Sequence, residues 1–162
     1  MRYTRTIEPL AYIDRAVELA ADSVKANHGG PFGALIVQAG RVIGEGTNHV
    51  LSSNDPTAHA EVMAIRDACT RLGTFALHGA SLYSTCEPCP MCLGAIYWAR
   101  IERVYFASTR EDAARIGFDD SRIYQEILMP IEQRGVAMER IASERAERLL
   151  EEWMNKSDRT VY

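Results

Sequence analysis

The chain of 162 residues has no apolar run approaching the ~20 residues that span a bilayer, and its opening, Met1 to Glu8, lacks the apolar core of a signal peptide. No membrane partner and a cytoplasmic location are therefore expected. It also has no basic run: 18 Lys and Arg are interleaved with 22 Asp and Glu, for a net charge of −4. Proteins that hold phosphate backbones draw most of their affinity from a basic patch, so a nucleic-acid partner gains no support. Repeats and low-complexity tracts are absent. Cysteine is scarce, with four residues, and in a reducing compartment these read as thiols or metal ligands rather than disulfides. Three of the four crowd into positions 86, 89 and 92.

Hydrophobic residues make up 47% and charged residues 25%, the balance of a globular protein. A chain of this length buries roughly two-thirds of its unfolded surface around one core, so residues 1–162 are read as a single domain. Leu10, Ile13, Val17, Ala20, Ala21 and Val24 recur at helical spacing and predict a helix over 8–27, ended by His28-Gly29-Gly30-Pro31. Residues 33–38 and 41–46 read as strands of a hairpin turned at Ala39-Gly40, and a second helix begins near His59 and is capped by Gly73. A strand over 80–85 runs into a third helix from Cys89 to Ala99, then a strand over 103–108 and a short helix after Arg110. A weaker helical stretch covers 123–128, and 136–141 is expected as a fifth strand. Ser143 caps a last helix with Ala146, Leu149, Leu150 and Trp153 on its apolar side; Trp98, Trp153 and Cys69 are read as core. Strands alternating with helices give an α/β class, a three-layer α/β/α arrangement with helices on both faces of a five-stranded mixed sheet.

Two stretches carry the chemistry, Thr57-Ala58-His59-Ala60-Glu61 and Cys86-Glu87-Pro88-Cys89-Pro90-Met91-Cys92. One imidazole and two thiolates are the three protein ligands that leave a tetrahedral zinc one open position. Cys89 and Cys92, three apart in a first helical turn, face the same way, and helix N-termini favour thiolate over thiol. Zinc so held lowers the pKa of a water from about 15.7 towards ~7, and Glu61, two residues from the histidine, is placed to move its proton. The alternative is a structural site closed by His59, Cys86, Cys89 and Cys92. That site would have no use for Glu61, and the chain is large enough to fold without a metal.

With H-x-E followed by P-C-x-x-C, the chain resembles the cytidine-deaminase-like zinc enzymes. Gly29 to Gly33, Asn54 to Glu61, Cys86 to Arg100 and Gly117-Phe118-Asp119-Asp120-Ser121 extend the resemblance along nearly the whole chain, and the Phe-Asp-Asp loop with the closing Tyr162 favours the bacterial branch that acts on guanine. The resemblance implies one zinc per chain on His59, Cys89 and Cys92, with Cys86 nearby but unbound and Glu61 as catalytic proton shuttle. It implies a second catalytic carboxylate, Asp120, beside the departing amino group, and substrate binding by Asn48, Phe32 and Tyr162. It also implies a homodimer exchanging C-terminal segments, about residues 143–162, so that Tyr162 closes the partner's pocket. By residue type alone, Phe32 reads as turn packing, Asn48 as a turn residue, Asp120 as a cap or solvated charge and Tyr162 as a frayed end. The expected reaction is hydrolysis of a free purine, guanine to xanthine plus ammonia. A tRNA adenosine deaminase, a deaminase of cytosine or another small heterocycle, and a zinc-stabilised interaction domain are the alternatives.

Overall fold

The computed structural model describes residues 7–162, so the opening stretch that bears on a leader lies outside the described residues. Two compact units divide the chain, residues 1–120 and 121–162.

In the first unit, β1 (Gly33–Gln38) and β2 (Arg41–Thr47) form the hairpin, with Ala39 and Gly40 both at positive φ, as a tight two-residue turn requires. β1 also pairs antiparallel with β3 (Ala80–Cys86), which pairs parallel with β4 (Arg103–Ser108), giving the order β2-β1-β3-β4. The sheet is thus mixed, with four strands among the described residues.

Alternation along β1 assigns the two faces. Leu35 and Val37 pack with Tyr83 against Ala16 of α1 (Ile7–Lys25), while Ala34 and Ile36 pack with Leu82 against Ala60, Ala64, Ile65 and Ala68 of α3 (Ala60–Leu72). Helices therefore cover both faces, as expected. Between β2 and α3 lies a single helical turn, α2 (Val50–Ser53), in a stretch read as polar turn. The helix α4 (Pro90–Trp98) adds Ile96 to the α3 face, and α5 (Arg110–Arg115) follows β4 with a capping box at Thr109.

α3 lies very close on β2. A Cβ on Gly46 would stand 2.2 Å from the Ala60 carbonyl oxygen, and one on Gly44 2.5 Å from that of Ala64. These two glycines let the helix settle onto the strand and so fix the height of the residue just before it, His59. α1 is similarly close, since a Cβ on Gly33 would stand 2.2 Å from the Ala16 carbonyl oxygen. That approach corrects the expected stripe: small Ala16, Ala20 and Ser23 face inward, while Leu10, Val17 and Val24 are exposed.

The second unit holds α6 (Ser121–Ile127), a 3-10 turn (Ile131–Gln133) and α7 (Glu144–Asn155), capped by the Ser143 hydroxyl accepting from the Ala146 N–H. The expected fifth strand over 136–141 is not formed. A strand exists only through a partner's ladder, and among the described residues β4 ends the sheet with no strand beyond it. Neither tryptophan is core. Trp98 ends α4, where Arg100 lies over its ring, and Trp153 belongs to a helix that buries no residue. Cys69 does pack against the α3-side core.

Candidate metal centre

Two helix starts converge on one point. His59 is the N-cap of α3 and Cys89 the N-cap of α4, both in extended backbone, and neither side chain caps its own helix. Both are thereby left for a metal. Pro90 at the first helical position pre-sets the turn that brings Cys92 round beside Cys89. The loop before His59 is tied down by Asp55, whose Oδ1 accepts from the Thr57 N–H at 2.8 Å and its hydroxyl at 2.7 Å. The loop before Cys89 is tied to β4 and α5: the Glu87 N–H donates to the Ser108 carbonyl at 2.9 Å, and Glu87 Oε2 accepts from the Arg110 N–H at 3.2 Å.

His59 Nδ1 stands 3.6 Å from Cys89 Sγ and 3.5 Å from Cys92 Sγ, and all three donor atoms lie within 4.8 Å of one another. A tetrahedral zinc, with bonds of about 2.05 Å to nitrogen and about 2.3 Å to sulfur, sets such ligands about 3.6 Å apart. The donor set fits that ion. Cys86 is not among the three: its thiol, which burial pushes up to about 11, donates to the Thr109 carbonyl at 3.5 Å. Three protein ligands leave a fourth position open.

Without metal, the three groups hold one another. A hydrogen bond from the Cys92 thiol draws the Cys89 thiol down to about 4, and that same bond, with burial, raises Cys92. The hydrogen bond to Cys89 raises His59 above its ordinary value. Glu61, in the first turn of α3 and only 6% exposed, has Oε2 3.5 Å from Cys92 Sγ, and burial raises its carboxyl.

The other residues singled out lie as follows. Asn48, buried at the end of β2, donates its backbone N–H to the Phe32 carbonyl at 3.1 Å, and the next residue, His49, donates to the carbonyl of Ala58 at 2.9 Å. Asn48 thus sits one residue from a bond to the segment that presents His59. The Phe32 ring meets Phe118 edge to face, centroids 4.9 Å apart. Asp120 closes the first unit half-buried; burial and, next, the charge of Cys89 raise its carboxyl. Tyr162 belongs to the second unit and is exposed there. The sequence gives Gly29 and Gly30 only the ending of the first helix and Ser23 no role, yet all three surround Asn48; two glycines before a proline were the available signal.

A mixed sheet carrying two helix starts that join a histidine, two cysteines and a buried glutamate is the construction of a zinc-dependent deaminase. Residues 8–108 match the model of the cytidine and deoxycytidylate deaminase zinc-binding region, and the chain belongs to that family. It is similar to a guanine deaminase of Bacillus subtilis, 50% identical over 93% of this chain and 97% of the relative. A solved guanine deaminase structure from Bacillus subtilis superposes with a TM-score of 0.91, covering 94% of this chain and 97% of that one. A tRNA-specific adenosine deaminase of Aquifex aeolicus is also 50% identical, but over 48% of this chain and 52% of its own length.

Proposed function

We propose that the chain hydrolyses free guanine to xanthine and ammonia. The observation that carries this reading is length of match: likeness to a guanine deaminase runs through both units over 93% of the chain, whereas likeness to tRNA-specific adenosine deaminases covers from 48% to 67% of it. The net charge of −4 also speaks against a nucleic-acid substrate.

Zinc, when bound to His59, Cys89 and Cys92, supplies a Lewis acid that brings the pKa of a water to about 7. The chain's own groups do the rest. Glu61, buried and basic above the ordinary carboxylate range, accepts the proton of the attacking water and passes it to the ring nitrogen beside C2. Oxygen adds at C2, the C2–N bond breaks, and Glu61 with Asp120 protonates the departing amine to ammonia. Phe32, fixed by Phe118, offers an aromatic surface to the base, and Asn48 a polar contact.

All 162 residues act as one deaminase in this reading, working in the cytoplasm as a homodimer that exchanges segments from about residue 143 onward, with Tyr162 closing the partner's pocket. Supporting the exchange, α7 buries none of its apolar side, Leu149, Leu150 and Trp153, and β4 presents an unpaired edge. Supporting the location, the four cysteines are thiols, and no helix among the described residues is long and apolar enough to cross a membrane.

The test is ammonia release by the zinc-loaded protein from guanine, adenine, cytosine and tRNA in parallel, beside Glu61→Ala. Release from guanine alone, abolished in the variant, is expected. Release from tRNA alone would replace guanine by an adenosine in a flipped-out loop, and unchanged turnover by the variant would remove Glu61 from the chemistry.

A further inference from the structure

Asp120 stands close to the loop that carries Cys89: burial raises its carboxyl most, and the charges of Cys89, Arg110 and Glu87 act on it as well. The hydrogen bond it accepts comes from its own backbone N–H, so the carboxylate goes where its chain takes it.

That chain is anchored through α5. At the start of the helix, the Glu87 carboxylate accepts from the Arg110 N–H at 3.2 Å and the Cys86 thiol donates to the Thr109 carbonyl at 3.5 Å, which ties α5 to the loop before Cys89. The helix ends on Gly117, whose φ of +96° suits glycine and strains any other residue. There the Gly117 N–H donates to the Ala114 carbonyl and the Phe118 N–H to the Ala113 carbonyl, both at 3.0 Å, the paired bonds of a left-handed helix end. The turn lays Phe118 against Phe32, edge to face, with centroids 4.9 Å apart. A Cβ on Gly30 would stand 2.9 Å from Phe118 Cζ and 3.0 Å from Phe32 Cε2, so the notch that seats both rings exists because residue 30 has no side chain. Two residues of chain span at most about 7 Å, so a seated Phe118 keeps the Asp120 backbone at this end of the site.

We propose that Phe118 is a positioning residue for proton delivery to the departing amine: its ring, seated over Gly30 against Phe32, holds Asp120 beside the metal centre. The scheme rests on the reading of the chain as a guanine deaminase in which Asp120 protonates that amine. A ring that only steadied Phe32 would affect binding of the base, whereas a ring that holds Asp120 governs the departure of ammonia. Phe118 is 46% exposed, so its removal empties no core.

Steady-state kinetics of the zinc-loaded full chain separate the two roles. On guanine, Phe118→Ala is expected to lower kcat about tenfold or more, towards that of Asp120→Ala, and to cost no further kcat once Asp120 is already alanine. Phe118→Tyr keeps the ring and stays near wild type. A guanine analogue with chlorine in place of the C2 amino group gives the second readout. Hydroxide adds at C2, the C2–Cl bond breaks, and chloride leaves with the electron pair and needs no proton, while the water's proton passes through Glu61 to solvent. Chloride release is therefore expected to be equal in wild type, Asp120→Ala and Phe118→Ala. Zinc content and circular dichroism identify folded variants; if Phe118→Ala does not fold, Gly117→Ala, which strains the same turn, takes its place in each comparison. A loss confined to KM, a kcat loss that persists beside Asp120→Ala, or a loss equally large on the chloro analogue would overturn the proposal. Full kcat in Asp120→Ala would instead remove Asp120 from the chemistry, and the role of Phe118 with it. If the protein releases ammonia from another base and not from guanine, the substrate assignment falls, and the same pairing of variants on that base still decides the role of Phe118.

Discussion

Glu61 Oε2 and Cys92 Sγ stand 3.5 Å apart, while Cys86, at the end of β3, is spent on a backbone carbonyl. Three outcomes follow at the level of single side chains. Glu61→Gln keeps the shape and loses the base, so kcat is expected to fall by about 10²–10⁴ while the metal content stays near one per chain; a loss of less than tenfold would contradict its role. Cys86→Ala is expected to retain zinc and Cys92→Ala to lose it, read by metal analysis after dialysis. Zinc loss in the Cys86 variant would mean a closed, four-ligand site. His59 and Cys92 both hold their protons to higher pH than usual in the metal-free site, and zinc must displace those protons. Apparent zinc affinity is therefore expected to weaken as pH falls from 8 to 6 in competition with a chelator, and affinity independent of pH would contradict those shifts. The metal ligands and Glu61 were legible in the sequence because each pair is local: three residues from Cys89 to Cys92 and two from His59 to Glu61. The contacts of Asn48 with Gly30 and Ser23 were not, since those residues are 18 and 25 positions away and one of them offers only a backbone amide.

Helices and strands place those groups by close contact. Because Gly46 sits under the first turn of α3, Gly46→Ala is expected to force the helix from the strand, lowering thermal stability by about 1–3 kcal/mol and weakening zinc retention with it. A variant of unchanged melting temperature and zinc content would show that the contact is not what sets His59. All nine elements expected between residues 8 and 128 were given by periodicity and turn residues to within about two residues, the stretch over 123–128 beginning two residues earlier, at Ser121. What periodicity could not give was which apolar face turns inward. On α1, Leu10, Val17 and Val24 lie outside, because Gly33 brings the helix backbone too close at Ala16 and Ala20 for larger side chains there. Residues 136–141 have a strand's composition, yet strand formation depends on a partner, and composition carries no record of whether one is present.

Over the whole molecule, the first unit carries the sheet, the metal ligands and both carboxylates, while the second leaves a long apolar series exposed, including Leu128, Ile141, Leu149 and Leu150. The proposed exchange of C-terminal segments between subunits gives a direct expectation. Glu61→Ala and a chain lacking Tyr162, each inactive alone, should recover about one quarter of wild-type activity when mixed and re-formed as dimers, because half the dimers are mixed and each has one complete site. No recovery would place Tyr162 over its own subunit's site, or outside the chemistry. The central claim, hydrolysis at C2 of guanine by water deprotonated at Glu61, is tested most directly by turnover of guanine in ¹⁸O-labelled water with mass analysis of the purine product. Xanthine carrying a single ¹⁸O, formed with one ammonia and absent with Glu61→Ala, is the expected result. Guanine returned intact while another base gains the label, or labelled xanthine formed equally well by the Glu61 variant, would contradict it.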